Sequence, residues 1–423
     1  MSNINRNIAH THCGLELFNR YELSSKNNIY DLETNSHLLA TFGGPSCMLL
    51  RQKSKLVNSF MSLVFKQYNK PMNIKGVNYD VGTVMGVNWR PDYDPETVHR
   101  ELEIIKNDLH CNAVGISGKD IGRVVMTAED ALSQGLEAWL HPADWNNKPP
   151  EPTLAYITEA AKAAQPLHER YPDKVVFSLG SEFTLFMQGI IEGKTFMGRA
   201  KNVRQGGAGI KEGKHNQPLN DFLSKAATEV RKVFRGPIMY RSLVWEQVDW
   251  SIFDIIGVDH YWAEKIQDQY IDMVKPLFKY GKPVINTGFG FNTTTEPVTG
   301  MLSSLGGEPS VVLHQIPVIG RFIRPKLKVI SERDEELQAT RLIDNLKLLD
   351  NAGFSGTFID QFIFPLKPYS DTPKYDQDRT TSSLVKYYEN GRHGTTYPDM
   401  TWEPKEVFRA VASYYSASRT TKD

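Results

Sequence analysis

The sequence predicts an α/β chain closed as a (β/α)8 barrel, carried by residues 71–423 behind an N-terminal extension of residues 1–70. Three observations predict it. From Lys75 onward, short apolar runs of the kind buried in parallel sheets alternate with longer helix-like stretches. About eight such units fit in roughly 290 residues, where a closed barrel takes ~250 plus insertions. Long loops follow strands four and seven, at about 186–217 and 291–331, which places both on the face where such barrels build their sites.

The first strand candidate is 76–79, with a short apolar stretch at 85–87 close behind. A helix follows over 95–109, with Asp94 placed to cap it and Pro95 suited to its first turn. Next come a strand at 113–116, a helix near 126–134, a strand at 136–140 and an Ala-rich helix near 153–169. A fourth strand at 175–179 leads into the first insertion and a helix near 219–234. Strands at 237–240 and 255–258, a helix near 267–279 and a strand at 283–286 follow. After the second insertion a helix near 333–351 precedes the last strand at 356–359. Beyond it, Tyr375 or Asp376 can reach the barrel mouth, while Pro398, Pro404 and a helix-like 405–414 fit a segment that wraps the barrel. An open doubly wound sheet is the alternative. Such sheets bind nucleotide at a Gly-rich turn after the first strand. The turn here, Asn78-Tyr79-Asp80-Val81-Gly82, lacks GxGxxG spacing, and no GxxxxGK(S/T) loop occurs.

Lys and Arg number 49, as do Asp and Glu, so no overall basic field exists to hold nucleic acid or an anionic membrane. Cys13, Cys47 and Cys111 are too widely spaced for a disulfide framework or a zinc cluster. The polar start, 1–12, shows no leader-like apolar region, and the apolar tract 56–65 is about half the ~20 residues of a membrane span. A cytoplasmic protein with a small-molecule partner is the expectation; the oligomeric state is left open. No HExxH, EF-hand loop or CxxC points to a metal. The first insertion is rich in Gly and basic residues (Lys194, Arg199, Lys201, Arg204, Lys211, Lys214), which fits either a solvated loop or a contact to an anion.

The residues just past each strand carry the chemistry. Glu182 follows strand four behind Gly180 and Ser181, where a carboxyl can serve as general acid or base. Strand five is followed by Trp245 and Glu246, and strand six by Asp259, His260, Tyr261 and Trp262. Aromatic plates interleaved with polar groups suit a sugar or polyol. His141 ends strand three and is either a ligand contact or a satisfied structural histidine. Asn78, Arg90 and Asp360 complete the candidate substrate contacts.

Gly180-Ser181-Glu182 after strand four, Ile256-Gly257-Val258-Asp259-His260-Tyr261 after strand six and Thr287-Gly288-Phe289-Gly290 after strand seven together resemble the clan A glycoside hydrolase barrels. Trp89-Arg90-Pro91, the stretches 109–114 and 180–186, and 391–400 resemble more closely a group of bacterial proteins labelled abortive phage infection proteins. The resemblance spans about 75–415. It implies that Glu182 is the acid/base and that no cofactor is needed. It also implies a nucleophilic glutamate in a strand-seven Thr-Glu-Phe-Gly motif. Here that position is Gly288.

Retaining hydrolysis needs two carboxyl groups about 5–5.5 Å apart, and glycine has none to offer. Three readings follow. In the first, and preferred, the protein is an enzyme of altered chemistry. Glu182 donates the proton and Asp259, Glu246 or Asp360 assists, in an inverting hydrolysis or in an acid-catalysed dehydration or cyclisation. In the second, it binds a carbohydrate-like ligand without turnover. In the third, Gly288 is an engineered loss of the nucleophile.

Overall fold

The computed structural model describes residues 72–417 apart from 85, 208, 296–325 and 328. The extension 1–70, and with it Cys13 and Cys47, lies outside the described residues, as does most of the second insertion.

Eight short runs, buried along most of their length, form the strands: β1 Ile74–Asp80, β2 Ala113–Gly118, β3 Glu137–Pro142, β4 Val175–Ser181, β5 Ile238–Leu243, β6 Ile255–Asp259, β7 Val284–Phe289 and β8 Gly356–Ile359. Each pairs in parallel with the next, and β8 returns to β1 from Ile74↔Gly356 to Val77↔Ile359, closing the barrel. Parallel neighbours require crossovers, and most of these are helical: α1 Pro95–Asn107, α2 Ile121–Ser133, α3 Pro150–Arg170, α4 Phe196–Arg204, α5 Asn216–Arg231 and α6 Glu335–Ala352. The last helix, α7, is Glu406–Ala417. Asp94 caps α1, accepting from the amides of Glu96 and Thr97. Asp120 caps α2 through the Arg123 amide, so that helix starts five residues before the expected 126.

The expected helix at 267–279 is instead a set of turns between two 3-10 helices, Glu264–Ile266 and Lys275–Tyr280. Pro276 has no amide proton to donate, which disfavours a continuous α ladder through this stretch. The segment after β8 wraps the barrel: the Trp402 indole donates to Glu101 at 2.8 Å, and the Leu384 amide to the Gln361 carbonyl at 3.0 Å. Asp376 does not reach the mouth as a free carboxylate; Arg333 (3.1 Å) and Arg379 (2.8 Å) hold it. Among the described residues, no helix is long and apolar enough to cross a membrane.

Side chains alternate along a strand, so every second residue faces the barrel interior. The lower interior is apolar, built from Ala113, Trp139, Val176, Met239, Ile255, Ile285 and Phe358. Two residues further along the same strands the inward positions include His141, Ser178, Arg241 and Thr287. The polar site is therefore a continuation of the core pattern toward the strands' C-terminal ends.

Candidate active site

Two β-bulges set the geometry. Between β4 and β5, Ser178 pairs with Met239 but Ser181 with Arg241, so β4 carries one extra residue. Gly180 sits in this bulge at φ 153°, and the Phe183 ring occupies the place where a Cβ would stand, so only glycine fits. The chain then enters the left-handed region at Glu182 (φ 49°), a strained conformation for a residue with a side chain. Glu182 is 7% exposed, and its carboxyl has no hydrogen-bond partner among the described residues. Burial raises its proton affinity well above the usual carboxylate range, and Asp259 and Glu246 add to this while Arg241 opposes it.

The second bulge is in β7. Val258 pairs with Asn286 while Asp259 pairs with Gly288, and β8 shows the same slip. Thr287 and Gly288 both meet Asp259 as a result. Its Oδ1 accepts from Thr287 Oγ1 at 2.8 Å and from Arg241 Nη2 and Nε at 3.0 and 3.2 Å, while its Oδ2 accepts from Ser181 Oγ at 2.8 Å. A Cβ on residue 288 would stand 2.9 Å from Asp259 Oδ1, 3.0 Å from Arg241 Nη2 and 3.3 Å from the Tyr261 hydroxyl. The space a side chain would enter is occupied by polar groups of the neighbouring strands.

Asp80 and Asp360 end the adjacent strands β1 and β8, and both are half-buried. The Tyr261 hydroxyl donates to Asp360 Oδ2 at 2.9 Å. Burial, then the nearby Asp360, pushes Asp80 up to about 7, and burial likewise raises Asp360 against the pull of Arg241. One layer down, Asn78, His141, Ser178, Arg241 and Thr287 help line a cavity of about 20 Å³, room for a single water. Asn78 Nδ2 donates to the Thr287 carbonyl at 2.9 Å.

The other sequence candidates lie apart from this cluster or are held by structural contacts. Glu246 is buried and accepts from the amides of Leu243 (2.9 Å) and Thr184 (3.2 Å) and from the Tyr240 hydroxyl (3.2 Å); burial pushes it up to about 7. Trp245 is half-buried against the His215 ring. The His260 ring stacks on Tyr270 and bonds its carbonyl at 2.7 Å, and burial lowers the ring to about 4, so it is taken up by packing. Arg90 pairs with Glu101 at 3.0 Å and donates to the Asp80 carbonyl at 3.1 Å. Arg199 corrects the anion-contact option for its insertion. It is fully buried and donates to the carbonyls of Leu185, Gly193 and Phe186 and to Asn147 Oδ1. The five lysines and arginines around it in that insertion are exposed.

Sequence reasoning passed over Asp80, Ser181, Arg241 and Thr287 as site residues. For three of them a signal was present. Asp80, Arg241 and Thr287 each stand two residues beyond an inward position of the same strand, namely Asn78, Met239 and Ile285. Among the described residues, no three His, Cys, Asp or Glu side chains converge to hold a metal ion.

The fold and site together define a (β/α)8 barrel with a carboxyl cluster at the C-terminal mouth. No family model matches the sequence and no curated protein matches it, so neither supports the resemblance to abortive-infection-labelled proteins. Solved structures that align include a GH113 β-1,4-mannanase, over 82% of this chain and 99% of its own at 13% identity and a TM-score of 0.49. The GH113 β-mannanase AaManA from Alicyclobacillus acidocaldarius aligns over 83% and 99% at 13% identity and 0.48. A GH2 β-galacturonidase from Eisenbergiella tayi aligns over 82% of this chain and 52% of its own at 13% identity and 0.49. At such identities the likeness is one of fold.

Proposed function

We propose that the protein is a glycosidase-like enzyme that acts on a sugar or polyol-like small molecule, with Glu182 as its proton donor. One observation carries this: the Glu182 carboxyl, without a hydrogen bond and with its proton affinity raised by burial well above the usual carboxylate range, stands within electrostatic reach of the ion-paired carboxylate of Asp259. Carboxyl groups whose proton affinity is shifted by burial and by a neighbouring charge cluster at sites of chemistry. Two carboxyl groups in contrasting environments also divide the acid role from the charge-bearing one.

Asp259 accepts four hydrogen bonds, so its part is to fix Arg241 and the bulge of β7 in place. Asp360 is half-buried, is hydrogen-bonded by the side chains of Tyr261 and Asn78, and is the group suited to draw a proton from an attacking water or substrate hydroxyl. Retention through a covalent adduct at residue 288 is not part of this reading. Direct displacement with inversion, or an acid-catalysed elimination, is. Deleting a glutamate side chain from a finished site would leave a void. At residue 288 a Cβ would instead stand 2.9 Å from Asp259 Oδ1 and 3.0 Å from Arg241 Nη2, so the side chains around the glycine leave no such void. Tyr261, half-buried beside Asp360 and Gly288, is the aromatic placed to meet the apolar face of a sugar ring.

The test is turnover of a series of glycosides with leaving groups from alcohols to dinitrophenols, by the parent protein and by Glu182→Gln. Loss of activity that deepens as the leaving group worsens, with binding intact, is the expected result. The anomeric proton signal of the first product then reads inversion directly. No turnover across the series, or an undiminished Glu182→Gln rate on poor leaving groups, would leave carbohydrate binding without chemistry as the function.

A further inference from the structure

We infer that the ligand of this mouth is cationic, an amino sugar or comparable amino-polyol whose ammonium group is held between Asp80 and Asp360. The inference rests on the carbohydrate class proposed above, but not on any catalytic step.

The placement comes from the closure of the barrel. Val77 pairs with Ile359 across the β8–β1 seam, and the amides of Asp360 and Phe362 bond the carbonyls of Phe289 (2.8 Å) and Asn78 (3.0 Å). This backbone frame sets the two aspartates side by side at the ends of adjacent strands, both half-buried and within electrostatic reach of each other.

The charge balance of the site is lopsided. Asp80, Asp259 and Asp360 lie within electrostatic reach of one guanidinium, that of Arg241, which Asp259 binds through two nitrogens. Arg90, the other nearby cation, is paired with Glu101. A second feature points to a ligand independently of the aspartates. Glu182 is more than nine-tenths buried at the same mouth, and its carboxyl has no partner among the described residues. One carboxyl without a partner, beside two aspartates that share a single guanidinium with Asp259, fits a ligand that brings both donors and positive charge. An ammonium group brings three N–H donors and a full charge. A neutral diol brings donors alone and leaves the repulsion between the aspartates uncompensated. An anionic sugar would add to it.

The test needs no turnover. Glucosamine, mannosamine and galactosamine are titrated by calorimetry into the full-length parent protein at neutral pH, each against its parent hexose and its N-acetyl derivative. At least one amine is expected to bind about tenfold more tightly than both neutral counterparts, the scale of one partly screened ion pair. That preference is expected to weaken with added salt and to vanish in Asp80→Asn and in Asp360→Asn. Equal binding of the neutral sugars, failure of every amine to bind, or a preference that survives both substitutions would overturn the inference. The salt dependence and the N-acetyl comparison use only the parent protein, so a poorly folded variant does not remove the test. An amine preference without turnover of any glycoside would overturn the catalytic proposal alone. Turnover of neutral glycosides through Glu182 without an amine preference would overturn this one alone.

Discussion

At the end of β4 a bulge adds one residue and delivers Glu182 to the mouth; at the end of β7 a second bulge turns Gly288 toward the same centre. The backbone device is the same and the outcome is opposite. After β4 the side chain is present and its carboxyl is unbonded. After β7 the side chain is absent, and Asp259, Arg241 and Tyr261 crowd the place it would take. The comparison teaches that negative charge stands beside residue 288 although that residue carries none. It resides on β6, where Ser181, Thr287 and Arg241 hold it.

The sharpest way to break the comparison is to remove the free carboxyl. Glu182→Gln is expected to lower kcat by about 10²–10⁴-fold on poor leaving groups. In the parent protein the alkaline limb of kcat/KM should lie well above the usual carboxylate range, because the donor must keep its proton and the fold raises its affinity for one. An alkaline limb near pH 4 to 5 would assign the proton to another group.

Asp259→Ala attacks the other side. It leaves the buried Arg241 guanidinium without its carboxylate, and a loss of about 3–5 kcal/mol is expected in urea denaturation. A loss under about 1 kcal/mol would mean that the pair behaves like an exposed one.

Stability should also depend on pH in a stated direction. Glu246 rises from 4.5 to about 7 on folding, so the native state binds its proton more tightly. Stability from this group is full below about pH 4.5 and is lost as pH climbs through about 7, with a total of about 3 kcal/mol. Asp80, raised from 3.8 to about 7, acts in the same sense. Melting temperatures from pH 5 to 8 should fall in the parent protein, and less steeply in Glu246→Gln, whatever that change does to absolute stability.

The smallest effect sharpens the reading of β7. Gly288→Ala adds one methyl against Asp259 and Arg241 and should cost about 1–3 kcal/mol without a change of reaction outcome. Gly288→Glu should be poorer still and should not produce retained-configuration product. Restored retaining hydrolysis would show that the glycine stands where a glutamate belongs.

The barrel was legible because each strand is a short apolar run and each helix is long enough to show itself between two of them. Strand-end polarity was legible for the same reason: Glu182, Asp259 and Asp360 each follow such a run. What the residues did not disclose were features that depend on contacts between distant segments. The bulges of β4 and β7 are register slips against neighbours, with no local mark except Gly180 and Gly288. His260 lies beside Asp259 in the chain, yet its ring is engaged by Tyr270, ten residues on. Arg241 was hidden by its neighbours, since Tyr240 and Trp245 drew the eye to aromatics while the guanidinium faced the acids of β6. The stretch 267–279 had the amphipathic look of a helix, but Pro276 lies inside it.

Arg199 has a consequence for how this barrel tolerates change. Its guanidinium satisfies three main-chain carbonyls and one side-chain amide at the root of the first insertion, where solvent has no access. That root behaves as scaffold, and the exposed lysines around it are free to vary without moving the barrel wall it adjoins.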